Sequence, residues 1–173
     1  MKKAFTLIEV NLAMLIMAGG ILSIVGLYAF GFRENRQSTE DVASSAYADA
    51  VISPLVMALS ATNVKWSVFK SLDSFPGQSG WGEYIDSNGL VSGDPEGKAQ
   101  SAFGAVMGKV GNADTKVGWP STASGGLHAG LVVLHDQDSA LVRIAFRAVK
   151  QPAMLLSAPL YYTEVRFQGT VDQ

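Results

Sequence analysis

One carboxylate, Glu9, stands at the start of residues 10–32, a run that contains no charged side chain. A charged side chain at the centre of a membrane helix costs about 2.5–3.5 kcal/mol, so such a residue is a functional-site candidate whose partner must be found. If the chain is cut between Ala4 and Phe5, the new α-amino group lies four residues before Glu9. That amine would neutralise the Glu9 carboxylate of a neighbouring copy, which is chemistry of assembly rather than of catalysis.

The uncharged run after Glu9 is long enough to cross a membrane. Residues 10–32 would extend about 35 Å as an α-helix, against a hydrocarbon core of about 30 Å. Lys2 and Lys3 precede the run, and Arg33 and Arg36 follow it, so the positive charges alone do not set its orientation. We therefore predict a single membrane-spanning helix.

Two other interpretations of this segment remain open. A secretory signal peptide also begins with basic residues and ends at small ones, here residues 18–20. However, its apolar core usually has about 7–15 residues and does not begin with a carboxylate. A plain single-span anchor for an unrelated envelope domain would need only the apolar run. Neither interpretation gives Glu9 a role.

The first ten residues resemble a known processing signal. A basic leader, Lys-Lys-Ala, is followed by Phe-Thr-Leu-Ile-Glu-Val, which is similar to the signal of type IV pilins and of type II secretion pseudopilins. The resemblance implies that residues 1–4 are a leader, that a prepilin peptidase cuts between Ala4 and Phe5, and that Phe5 is then N-methylated. It also implies that Glu9 is the assembly residue. The family usually has glycine before the cut, and Ala4 departs from that pattern.

The resemblance also implies a location and partners. The chain would lie in the bacterial inner membrane as a single-pass protein with its globular domain on the periplasmic side, and then in a pilus or pseudopilus. Its partners would be other pilin or pseudopilin subunits, the prepilin peptidase, the inner-membrane assembly platform and membrane lipid. Residues 26–36 are most similar to minor subunits of the PilV and GspI types, and the likeness covers about the first 55 residues.

The predicted fold class is α+β, with a long N-terminal helix packed on a C-terminal antiparallel β-sheet as in pilins. Residues 5–32 form its membrane or filament-core half and residues 33–62 its amphipathic half, because apolar residues there, from Val42 and Ala46 onward, recur at spacings of three and four. Pro54 should kink this helix or end its first part. Residues 63–173 would form the globular head domain.

The head domain is predicted to contain a helix and several short strands. Residues 64–69 are interpreted as a strand, with a helix as the alternative, and residues 77–93 as an irregular loop with one short strand. Residues 95–110 are predicted to form a helix capped by Asp94. The clearest strands are predicted at 131–135, 140–149 and 160–171, with alternating sides in the second and third.

The rest of the chain offers no catalytic cluster. His128 and His135 are seven residues apart and would point to opposite faces of a strand. Asp136 and Asp138 flank a predicted hairpin turn and are weak candidates for calcium, because two carboxylates without an EF-hand pattern are little evidence for a site. We therefore predict no enzyme activity and no cofactor, with calcium as the single exception left open.

Composition narrows the function further. The chain has no cysteine, which excludes disulfides, thiolate metal sites and a cysteine nucleophile within it. Its formal net charge of −2 gives no reason to expect a nucleic-acid partner. Two alternatives to a structural filament subunit remain: an adhesin or ligand-binding subunit of the same filament, and an envelope enzyme on a single-span anchor.

Overall fold

The computed structural model describes residues 6–111, 117–120, 126–137 and 139–171. The α-helices are α1 (Leu7–Leu59), α2 (Trp66–Lys70) and α3 (Pro95–Val110), and the strands are β1 (His128–His135), β2 (Leu141–Val149) and β3 (Tyr161–Arg166). Two 3₁₀ turns lie at Gly80–Tyr84 and Pro152–Ser157. The α+β class, with a long N-terminal helix and a C-terminal antiparallel sheet, is confirmed.

The chain divides into two compact units, Met1–Asp41 and Val42–Gln173, which we call the N-terminal unit and the head unit. In the N-terminal unit every residue from Thr6 to Thr39 is helical or caps the helix, and every one is exposed. By length and composition this helix can cross a membrane. An apolar surface of this extent needs lipid or other apolar helices around it.

Within the head unit, one face of α1 is buried. The buried residues recur every three or four positions: Ser44, Tyr47, Ala48, Val51, Leu55 and Leu59. Val42 and Ala46 were expected on this apolar face, but Val42 is 64% exposed and Ala46 is exposed as well. Val42 lies five residues before Tyr47, about 140° around the helix, so both cannot face the core.

Pro54 does not end α1, which continues to Leu59. The proline ring removes one backbone hydrogen bond to the preceding turn and costs about 3 kcal/mol in a helix interior. Leu55 and Leu59, which follow it, are both fully buried. Burial of a leucine side chain contributes about 1.5–3 kcal/mol, so these two residues offset the cost and hold the last turn in place.

The three strands form one antiparallel sheet in the order β1-β2-β3. All three predicted strands are confirmed, with different ends: β1 begins at His128 and continues through Gly130, and β3 stops at Arg166. Beyond β3 the chain passes close to Val64 at Gly169. A Cβ added to Gly169 would lie only 1.9 Å from the carbonyl oxygen of Val64. Only glycine permits that approach, and the bond from Thr170 N to Val64 O (3.0 Å) fixes it.

The sheet buries one face against the helices. The predicted alternation in β2 is confirmed, because Val142, Ile144, Phe146 and Ala148 are all buried. The ring of Tyr47 on α1 meets that of Phe146 edge-on, with ring centroids 5.3 Å apart. On the opposite face a smaller cluster forms where the 3₁₀ turns bring Tyr84 and Leu155 onto Val132 and Ala145.

Two predictions for the segment before α3 are wrong. Residues 64–69 do not form a strand; the helical alternative is observed as α2, while Lys65 makes only an isolated bridge to Thr170. Residues 77–93 hold a 3₁₀ turn and one isolated bridge, Ile85 to Val91, instead of a short strand. The helix α3 is confirmed with its cap, since an Asp94 carboxylate oxygen accepts from the backbone N–H of Gly97 at 2.8 Å.

Candidate functional site

The start of α1 is built around a reciprocal pair, Thr6 and Glu9. The backbone N–H and the hydroxyl of Thr6 both donate to Oε2 of Glu9, each at 2.9 Å. The backbone N–H of Glu9 points back to the Thr6 hydroxyl oxygen at 3.4 Å. This is a capping box, in which the residue before the helix and the third helical residue satisfy each other's free N–H groups.

Within the part of the chain that the structure describes, only one oxygen of the Glu9 carboxylate is bonded. Both bonds from Thr6 end on Oε2, and no partner for Oε1 is recorded in the part of the chain that the structure describes. The side chains on either side of Glu9 are apolar and exposed, Ile8 at 78% and Val10 at 45%. The carboxylate can therefore keep its cap and still accept a cation from another molecule.

Sequence reasoning identified Glu9 as a site residue, but it treated Thr6 only as a polar residue near the apolar run. The spacing Thr-x-x-Glu before an apolar segment is the usual sequence signal of a capping box and would have identified it. The structure also gives Glu9 a local role, the cap, besides any role between chains. The predicted processing residues, Ala4 and Phe5, lie outside the described residues.

The comparisons with known proteins give no family. No protein-family model, no curated protein and no solved structure matches this chain. The assignment of a function therefore rests on the residues themselves.

The two histidines are not brought together. Both lie on β1, at its opposite ends, with His128 beside Val149 and His135 beside Val142 of β2. His135 is 8% exposed, and its ring nitrogens lie 3.0 Å from the carbonyl oxygens of Leu72 and Ser139. A ring whose two nitrogens both face carbonyls holds the turn after β1 in place and has no lone pair directed at a metal.

The calcium hypothesis gains no support from geometry. Asp136 is exposed, and its backbone oxygen accepts from Ser139 N at 2.8 Å, which closes the turn. Its predicted companion, Asp138, lies outside the described residues. Among the residues that the structure describes, no group of three or more histidine, aspartate or glutamate side chains could hold a metal ion.

Tyr84 is fully buried, and its hydroxyl is bonded both as a donor and as an acceptor. Its hydroxyl donates to the carbonyl oxygen of Leu131 at 2.6 Å and accepts from the N–H of the same residue at 2.8 Å. Burial raises the pKa of Tyr84 to about 12, although the bond to Leu131 acts in the opposite direction. The site is structural, because both bonds fasten a 3₁₀ turn to β1.

Proposed function

We propose that this protein is a structural subunit of a type IV pilus or of a type II secretion pseudopilus, and that it has no enzyme activity. A prepilin peptidase would remove residues 1–4 and methylate Phe5. The mature chain would then wait in the bacterial inner membrane, with its head on the periplasmic side, until it joins the filament. Its partners would be other subunits of the filament and the assembly platform.

The observation that carries the proposal is the state of Glu9. Its carboxylate stands at the start of α1, where every residue from Thr6 to Thr39 is exposed, and among the described residues only its Oε2 is bonded, to Thr6. A plain membrane anchor would use this carboxylate only to cap its helix, through Oε2, whereas a subunit that must find a neighbouring amine would use Oε1 as well.

The amine and the carboxylate would act mainly by setting the register between subunits. Two charges in a low-dielectric bundle offset each other's desolvation only when they are paired, so the pair adds little net stability. An unpaired buried charge costs about 3–5 kcal/mol, which penalises every arrangement of subunits except the one that joins them. The terminal amine of one copy would reach Oε1 of the next while Thr6 retains Oε2.

Substitution of Glu9 tests this role. We expect Glu9→Ala to insert into the membrane normally, because the apolar run is intact, but to be largely absent from sheared filaments. Immunoblots of the membrane and filament fractions measure both quantities. Glu34→Ala is the matched control, since it removes an exposed glutamate from the same helix outside the apolar run. Incorporation of Glu9→Ala at the level of Glu34→Ala would contradict the proposal.

A further inference from the structure

The two edges of the sheet differ in how their backbone groups are satisfied. On β1, three alternate residues turn their backbone N–H and C=O groups away from β2, and both groups of each are bonded. Leu131 bonds to the Tyr84 hydroxyl (2.6 and 2.8 Å) and Val133 to the backbone of Phe75 (2.7 and 2.8 Å). His135 bonds to the Ser74 hydroxyl (3.1 and 3.2 Å). Because these backbone groups are already bonded, this edge of the sheet cannot pair with another strand.

On β3 the backbone groups that point away from β2 have no hydrogen-bond partner among the described residues, and we call this side of the sheet the open edge. The bond from Phe167 N to Ala140 O (2.9 Å) shows that odd-numbered residues of this strand turn their backbone groups toward β2. The even-numbered residues Tyr162, Glu164 and Arg166 therefore turn theirs outward, because these directions alternate along a strand. Within the described ranges, none of these three has a backbone hydrogen bond, and all three are exposed.

The side chains along this open edge carry an unbalanced charge. Glu164 lies 3.3 Å from Nε of Arg143 on β2, and it also accepts from the Tyr162 hydroxyl. No carboxylate is recorded beside Arg166 among the residues that the structure describes. A strand added here would place its own side chains directly beside those of Glu164 and Arg166, where opposite charges attract.

We propose that the open edge of β3 binds an extended segment of a partner polypeptide, which adds a fourth strand and places a carboxylate beside Arg166. A second copy of this chain fits less well, because the carboxylate it would supply, Glu164, is already engaged by Arg143 and Tyr162. The inference concerns the head unit alone and holds whether or not the chain assembles into filaments.

Hydrogen exchange tests whether the edge is open. In the full chain, inserted singly into lipid nanodiscs and labelled with ¹⁵N, we expect the amides of Tyr162, Glu164 and Arg166 to exchange quickly. Those of Leu131 and Val133 on the closed edge should exchange at least tenfold more slowly. Equal protection on the two edges would overturn the proposal.

Two synthetic probes then test the partner's chemistry. One is the blocked heptapeptide Thr-Val-Thr-Glu-Thr-Val-Thr, and the other has lysine in place of its glutamate. We expect the acidic peptide to slow exchange at the three outward amides and to bind about tenfold more tightly than the lysine peptide, since cross-strand pairs of opposite and like charge differ by roughly this factor. The variant Arg166→Glu should reverse the preference.

A backbone variant separates strand addition from charge attraction. Tyr162→Pro removes one outward N–H and leaves the bonds to β2 in place, as edge strands tolerate. It should lose peptide binding while the amides that face β2, those of Thr163 and Val165, stay protected. Binding that survives this variant, equal binding of the two peptides, or self-association of the chain with the same amides protected would each overturn the proposal.

Discussion

At the scale of single residues, the chemistry of this chain is concentrated at the start of α1. Thr6 and Glu9 bond to each other in three ways, so the carboxylate that is proposed to join subunits also begins the helix. Sequence reasoning identified Glu9 because a charge beside an apolar run is conspicuous. It missed Thr6, whose hydroxyl matters only through the geometry of the helix end.

Thr6→Ala should fray the start of α1. Loss of a capping residue costs about 1 kcal/mol, which corresponds to a roughly fivefold faster amide exchange over residues 7–9. Hydrogen exchange followed by NMR in detergent micelles measures this rate. Thr6→Ser keeps the hydroxyl and serves as the control, and exchange unchanged in Thr6→Ala would show that the cap is not formed.

The ionisation of Tyr84 determines in part how the stability of the head unit changes at high pH. The pKa of Tyr84 is raised from its ordinary value of 10.0 to about 12, so the fold favours the neutral phenol. Its contribution to stability is therefore complete below pH 10 and is lost as the pH rises toward 12. Burial raises the pKa of Tyr47 as well, so both tyrosines act in this direction.

The variant Tyr84→Phe isolates the contribution of Tyr84. Near pH 8 it should lower the free energy of unfolding by about 1–3 kcal/mol, because the N–H and C=O of Leu131 lose their partner. The difference from the original chain should shrink between pH 10 and pH 12. Urea unfolding followed by circular dichroism measures both quantities, and a difference that stays constant with pH would contradict this account.

At the scale of elements, the ends of the helices and strands are set by contacts distant in sequence. The local sequence pattern placed all three strands, two of them by alternating residues, and it placed the cap of α3 by Asp94 before a proline. It placed the end of β3 too late, because that end depends on Gly169 approaching Val64, which no local pattern shows. It also favoured a strand over a helix at residues 64–69, where the structure has the short helix α2 with Phe69 buried.

The variant Gly169→Ala tests this approach. A Cβ there would lie 1.9 Å from the carbonyl oxygen of Val64 and 2.8 Å from the Phe167 ring. The backbone must move and lose its bonds to the α2 segment, so we expect a loss of at least about 2 kcal/mol in the free energy of unfolding.

Gly104→Ala is the matched control for that variant. Gly104 lies inside α3 with nothing within 4 Å of an added Cβ, so alanine should stabilise the head unit by about 0.5–1 kcal/mol. Thermal unfolding followed by circular dichroism compares the two variants. A Gly169→Ala chain as stable as the original would show that the approach to Val64 is not needed.

At the scale of the whole molecule, the chain consists of an exposed apolar helix and a head with its own core. All of the buried apolar residues of the described chain lie at Tyr47 or beyond it, so the head unit does not depend on the N-terminal unit for its core. The sequence analysis placed the end of the apolar half of the helix at residue 32 and the head domain at residues 63–173, whereas the compact head unit begins at Val42 and includes the last part of α1. The open edge of β3 could not be predicted, since it depends on strand order.

The central claim is that the chain is a filament subunit made mature by a prepilin peptidase. The most direct measurement is the intact mass and N-terminal sequence of the protein from cells with and without that peptidase. The account predicts a chain that begins at N-methylated Phe5 only when the peptidase is present. A chain left uncut in both cells, or one cut near Gly20 or Ala29 in both, would contradict it.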